Sequence, residues 1–181
     1  MIFFTQSEAR SAANRAITSK FNISMESVLN ESVDRQKQQD HFDIFLSHSI
    51  KDAELILGVK TLLEESDFTV YVDWVTDPFL ERDKVNADTA DVLRKRMRQC
   101  QSLIYIYTSN SKESKWMPWE LGYFDGFRPE KVSVLPLAFK ENEEFQGQEY
   151  LELYPKITKN DYFNKLKYAW VKGKRLSDFV N

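Results

Sequence analysis

The chain has 181 residues, of which 42% are hydrophobic and 14% aromatic, enough for one ordinary domain burying roughly 70% of its unfolded-chain surface. Lys and Arg number 25 against 28 Asp and Glu, and the net charge of -3 offers no general attraction to nucleic acid or anionic lipid. Cys100 is the only cysteine, so an intramolecular disulfide and a cysteine-built zinc site are excluded, no metal site is expected, and a reducing cytoplasm fits. The apolar start Met1 to Phe4 is too short for a secretory segment and no later apolar run reaches spanning length, so the chain reads as soluble, without membrane contact.

Residues 5 to about 35 read as helical. Thr5 and Glu8 have capping-box spacing, Ala9, Ala12, Ala13, Ala16 and Ile17 recur at helical intervals, and Met25, Val28, Leu29 and Val33 suggest a second short helix. The polar run Gln36-Lys-Gln-Gln-Asp40 reads as a linker, placing an N-terminal helical extension at 1–40 and the main domain at 41–181.

From residue 41 short apolar runs alternate with amphipathic ones, the pattern of βαβ units on a parallel sheet. Strands are expected at Phe42 to Leu46, Phe68 to Val72, Ser102 to Tyr107 and Val132 to Leu137. Helices are expected after Ser49 and Asp52, with Leu55, Ile56, Val59, Leu62 and Leu63 on one face, then around Val92, Leu93 and Met97, and from about Lys115 to Phe127. Asp73 to Ala87, polar and carrying Pro78, reads as a long loop. Tyr150 to Tyr154 suggests a short last strand, and Tyr162, Leu166, Ala169 and Trp170 a terminal helix ending near Gly173.

Ligands of an open parallel sheet bind beyond the carboxyl ends of its strands. That rule gathers Ser47, His48 and Ser49, then Asp73 and Trp74, then Thr108 to Asn110 leading to Trp116 and Glu120, onto one rim. The five glycines form neither G-x-G-x-x-G nor a P-loop, so a nucleotide there is held by aromatic faces, hydroxyls and helix-terminal amides.

Pro118 belongs in a first helical turn, so its helix begins at about Ser114 or Lys115. Trp116 and Glu120 then lie four apart on one face. An indole beside a carboxylate suits a cationic planar group, of which nicotinamide linked to ribose is an example. Cleavage of that N-glycosidic bond passes through an oxocarbenium-like state, and the leaving base needs no proton, so one carboxylate suffices.

These residues resemble the TIR domain family over most of residues 41 to about 137. Phe42-Asp-Ile-Phe-Leu-Ser-His-Ser49 is similar to the family's first box, and Trp116-x-x-x-Glu120 to the motif of its NAD-cleaving members. The resemblance implies a flavodoxin-like α/β fold, a parallel sheet flanked by helices. It implies NAD+ as substrate rather than a bound cofactor and Glu120 as catalytic carboxylate, and on the shared rim Trp116, Ser47, His48, Ser49, Asp73, Trp74 and Lys115 are expected around that substrate. It further implies self-association through the loop 73–87, and antiphage defence of the Thoeris type, in which a separate effector protein responds to a nucleotide product. Arg82-Asp83 lacks the Pro-Gly that follows in animal receptor and adaptor relatives, which argues against their docking mode.

Plainer readings stand beside these. Glu120 could merely complement a helix dipole, and the Trp116 spacing and first-strand box favour catalysis. Trp116 could be a core aromatic, and Trp119 is expected to be one. His48 has no identifiable triad partner and is assigned to the binding rim only. Trp74 either stacks on the ligand or seals the loop. Cys100 is expected to be inert, and Arg94 to Arg98 a solvated helix face. The N-terminal forty residues either brace the scaffold or form an oligomerisation arm. Two rival functions remain: a non-catalytic TIR interaction module, and a nucleoside deoxyribosyltransferase-like enzyme, which the Trp-x-x-x-Glu spacing disfavours.

Overall fold

The computed structural model of the chain describes residues 1–18, 39–73, 87–140, 143–160 and 165–181. The helix expected at Met25 to Val33, the linker as far as residue 38, Trp74 with the interior of the loop 73–87, and Tyr162 lie outside the described residues.

Strands β1 (Phe4–Thr5), β2 (Phe42–Ser47), β3 (Val70–Tyr71), β4 (Cys100–Tyr107) and β5 (Val132–Ala138) form one parallel sheet in the order β1-β5-β4-β2-β3. Successive side chains of a strand point to opposite faces, and here both faces are apolar. Ile44, Leu46, Ile104, Ile106 and Leu135 face a core shared with Leu55, Ile56, Val59 and Leu63 of α2 (Ala53–Glu64). Phe45, Leu103, Tyr105 and Val134 face a second core, closed by Leu93 and Met97 of α3 (Ala87–Arg98) and by Met117, Leu121 and Phe124 of α4 (Trp116–Phe127). A parallel sheet covered by helices on both faces is the flavodoxin-like α/β arrangement.

The first residues depart from a purely helical extension. Phe4 and Thr5 pair with Leu137 and Ala138 of β5 and make β1 an edge strand. The expected capping box is present where that strand ends: the Thr5 amide and hydroxyl donate to Glu8 Oε2 at 2.7 and 2.8 Å, and the Glu8 amide donates to Thr5 Oγ1 at 3.3 Å. Burial opposes the charge on Glu8, but a 2.8 Å ion pair with Lys159 and the Thr5 donors outweigh it and hold the carboxyl below its ordinary value. Helix α1 (Gln6–Thr18) then lays Ala9, Ala12 and Ala13 inward. Its partner is α2, and the approach is close enough that a Cβ on Gly58 would sit 1.8 Å from the Ala9 carbonyl oxygen. Phe4 and Ala9 belong to the same core as α2 and the sheet, so residues 4–18 brace the domain as part of its packing.

Two expectations near the carboxyl end are corrected. Tyr150 to Tyr154 is not a strand: Glu149–Leu153 is a single 3-10 turn. The free edge of β5 is instead shared by β1 and by a bridge in which Val134 pairs with Lys156. The stretch through Trp170 is not a terminal helix either. After a 3-10 turn at Leu166–Tyr168 the chain forms a hairpin of β6 (Trp170–Val171) and β7 (Lys174–Arg175). Lys172 and Gly173 take positive φ of 50° and 76° at its turn, the geometry of a tight two-residue hairpin loop. Helix α5 (Leu176–Val180) follows, and Lys131 Nζ donates to the Phe179 and Val180 carbonyls at 2.9 and 3.2 Å.

Candidate active site at the carboxyl edge of the sheet

Helix α4 places its inward face, Trp116, Met117, Glu120, Leu121 and Phe124, over the carboxyl ends of β2 and β4. Lys115 stands exposed at its cap, and the Ser114 hydroxyl accepts the Met117 amide at 3.2 Å. One turn on from Trp116, the Glu120 carboxylate meets the end of β2, where Ser47 Oγ donates to Glu120 Oε2 at 2.6 Å. Glu120 is 0% exposed and Ser47 1%, so the pair is closed from solvent.

His48 and Asp73 are also fully enclosed. The His48 Nδ1 lies 2.9 Å from the Leu46 carbonyl, which can only accept, so Nδ1 carries the proton of that bond. Its Nε2 points to Asp73 Oδ1 at 3.8 Å. Thus the loops after β2 and β3 meet through buried groups rather than through an open rim. Ser49, Lys115 and Trp116 do share an open hollow of about 180 Å³, with Lys51 and Glu113 on its wall in an ion pair. Trp116 is buried, edge-on to Trp119 at 5.4 Å. Trp119 is only half-buried, stacked on Tyr123 at 5.6 Å beneath the Arg94 guanidinium, so the expected core role falls to Trp116 and Met117 instead.

Sequence reasoning missed two contributors. Asp52, expected as a helix cap, makes no capping hydrogen bond. Its carboxylate accepts from Thr108 Oγ1 at 2.5 Å and Asn110 Nδ2 at 2.6 Å, clamping the loop after β2 to the loop after β4. The caps are supplied separately: Ser49 Oγ accepts the Lys51 amide, and Thr108 and Ser111 form a capping box on the turn Ser109–Glu113. Asp52→Ala leaves two donors without their buried acceptor and is expected to cost about 2–3 kcal/mol, read as a lower Tm in thermal unfolding.

Tyr105 is the second. It pairs in register with Ser47 on the neighbouring strand and is fully buried. Burial pushes its phenol pKa up, and the neighbouring Tyr150 and the charge of Glu120 act in the same direction. Cys100, the one cysteine, is buried with its thiol donating to the Arg96 carbonyl at 3.2 Å, and burial pushes its pKa up as well. It has the properties of an inert thiol. Among the described residues no group of three or more His, Cys, Asp or Glu could hold a metal ion, and no helix is long and apolar enough to cross a membrane.

Most of this parallel sheet, with the first long strand running into Ser47-His48-Ser49 and the helix carrying Trp116 and Glu120, lies within one family match. The TIR domain family covers residues 44–167, and the chain belongs to it. Among curated relatives, a protein of Bacillus cereus (strain MSX-D12) named "Probable 3' cyclic ADP-D-ribose synthase ThsB'" is 40% identical over 169 residues, covering 91% of this chain and 87% of its own length. A Cytobacillus dafuensis protein named "Putative cyclic ADP-D-ribose synthase TIR2" is 37% identical over 83 residues, which is 45% of this chain but 22% of that protein.

Proposed function

We propose that the chain cleaves the bond between nicotinamide and ribose in NAD+ and releases nicotinamide together with ADP-ribose or a cyclic ADP-ribose-type signal. The observation that carries this reading is the buried Ser47 and Glu120 pair, held at 2.6 Å over the carboxyl end of the sheet one helical turn from Trp116. The names of the two relatives support the same chemistry, and a defence role follows the family resemblance.

In the reaction the C–N bond breaks with its electron pair passing to the nicotinamide nitrogen, which becomes neutral. Positive charge builds on the ribose, where the Glu120 carboxylate stabilises it in a water-poor setting. An oxygen of water, or of the adenosine half of the same molecule, then bonds to the anomeric carbon and loses its proton. Ser47 orients Glu120, while Trp116, Ser49 and Lys115 border the hollow through which the nicotinamide end approaches. His48 and Asp73 set the positions of the surrounding loops. Closure of Glu120 from solvent means that cleavage requires a rearrangement that uncovers it, and we assign that event to self-association involving residues 73–87.

The test is incubation of concentrated protein with NAD+ and chromatographic separation of nicotinamide, ADP-ribose and cyclic products. Absence of nicotinamide from an assembled sample would sink the enzymatic reading in favour of an interaction module, for which a closed Glu120 is simply a structural carboxylate. Replacing Trp116 with Phe, which keeps a ring in the core, is expected to raise KM by about fivefold with little change in kcat, because a smaller aromatic face attracts the cation less.

A further inference from the structure

Beyond the Glu120 site, the carboxyl edge of the sheet carries a second pocket that the proposed chemistry leaves unused. It is about 270 Å³ in volume and lies over the ends of β4 and β5 beside β1, with Phe3, Tyr107, Phe139 and Phe145 among its walls. Its shape is braced from below. The Tyr107 hydroxyl donates to the Gln146 carbonyl at 2.6 Å, Phe145 packs edge-on to Tyr107 at 4.9 Å, and the Phe139 amide donates to Glu143 Oε2 at 2.7 Å. Phe139 itself is 64% exposed, an aromatic face turned to solvent at the mouth of a ready-formed pocket.

A row of adjoining hollows leads from this pocket toward Trp116. A middle hollow of about 270 Å³, lined by Arg10, Lys51, Asp52, Ser109, Asn110 and Phe139 among others, shares Lys51 with the hollow beside Trp116. It shares Ser109 and Phe139 with the aromatic pocket. From the end of β2, where Ser47 holds Glu120, to the end of β5 is two strand spacings, about 10 Å, a span a dinucleotide can bridge. We propose that the aromatic pocket binds the adenine ring of NAD+, with its diphosphate crossing the middle hollow; this rests on the NAD+ reading above.

The chemistry of the walls orders the ligand in that direction. Glu143 and Glu144 line the aromatic pocket, and two carboxylates repel a phosphate but tolerate a neutral base carrying an amino group. The middle hollow also holds two carboxylates, but Asp52 is engaged by Thr108 and Asn110 and Glu54 by Arg10, and two cations stand beside them. Lys51 pairs with Glu113 and Arg10 with Glu54, both pairs about half exposed. Exposed ion pairs of this kind contribute little stability, so both side chains can turn to a diphosphate at small cost. Lys112, exposed and in no ion pair among the described residues, adds a third cation at the mouth of the aromatic pocket.

The experiment uses adenosine monophosphate as the probe, measured by calorimetry, and in parallel compares NAD+ with nicotinamide mononucleotide, which lacks the adenosine half, as substrates. Phe139→Ala is expected to weaken adenosine monophosphate about tenfold and to lower the ratio of kcat/KM for NAD+ over the mononucleotide by about the same factor, the size of one lost base–aromatic stack. Phe139→Trp restores both. Adenosine monophosphate that fails to bind at millimolar concentration, or binds wild type and Phe139→Ala alike, overturns the proposal even if nicotinamide is released. Phe139-dependent binding with no nicotinamide from either substrate upholds the pocket and removes the NAD-cleaving reading instead.

Discussion

Glu120→Gln is expected to lower nicotinamide release by about a hundredfold to a thousandfold, the usual consequence of removing one preorganised charge-stabilising group. The substitution keeps volume, and its amide oxygen can still accept from Ser47 Oγ, so the fold survives and the charge alone is lost. Chromatography of nicotinamide at matched protein concentration measures the rate, and an unchanged melting profile shows that folding is not the cause. Release at the wild-type rate would leave NAD+ cleavage standing and take Glu120 out of it. Glu120→Ala is a harsher variant, because it strips Ser47 of its buried acceptor and leaves a cavity under α4.

Gly58→Ala is expected to destabilise the protein by about 3 kcal/mol, a fall in Tm of roughly 6–12 °C for a chain of this size. The new Cβ would lie 1.8 Å from the Ala9 carbonyl oxygen and 2.5 Å from its carbonyl carbon. Both are backbone atoms of α1, which cannot turn aside as a side chain can, so the helices must separate. Gly122→Ala supplies the contrast. That glycine sits on the exposed side of α4 with nothing within 4 Å of a Cβ, and the change is expected to stabilise by about 0.5–1 kcal/mol through helix propensity. Thermal unfolding of both variants compares them directly, and equal shifts would refute the close helix contact.

The central strands were readable because β2, β4 and β5 are runs of apolar residues bounded by polar turns, and α2, α3 and α4 carry their apolar residues at helical spacing. Reading failed where one local pattern serves two structures. Thr5 and Glu8 correctly announced a helix start, yet the two residues of β1 gain their strand character only from β5, far along the chain. Leu166 and Ala169 are buried as expected, but they belong to a turn before a hairpin, since Lys172-Gly173 serves equally as a helix stop or as a left-handed loop. Asp52 has the residue type and position of a cap, and nothing local reveals that its carboxylate is engaged 56 residues away.

By itself the amino-acid sequence determined the class of fold, the first-strand box ending in Ser47-His48-Ser49, and the common helical face of Trp116 and Glu120, all of which depend on spacing within a single element. Tertiary structure alone decided which group meets Glu120, that the carboxylate is closed from solvent, that Asp52 ties two loops together, and that Phe4 and Thr5 complete the sheet. The physical reason is common to all four. A periodicity reports which face of an element is apolar, whereas a polar group is placed by whichever partner packing brings within hydrogen-bond reach, and Ser47 finds its partner 73 residues away.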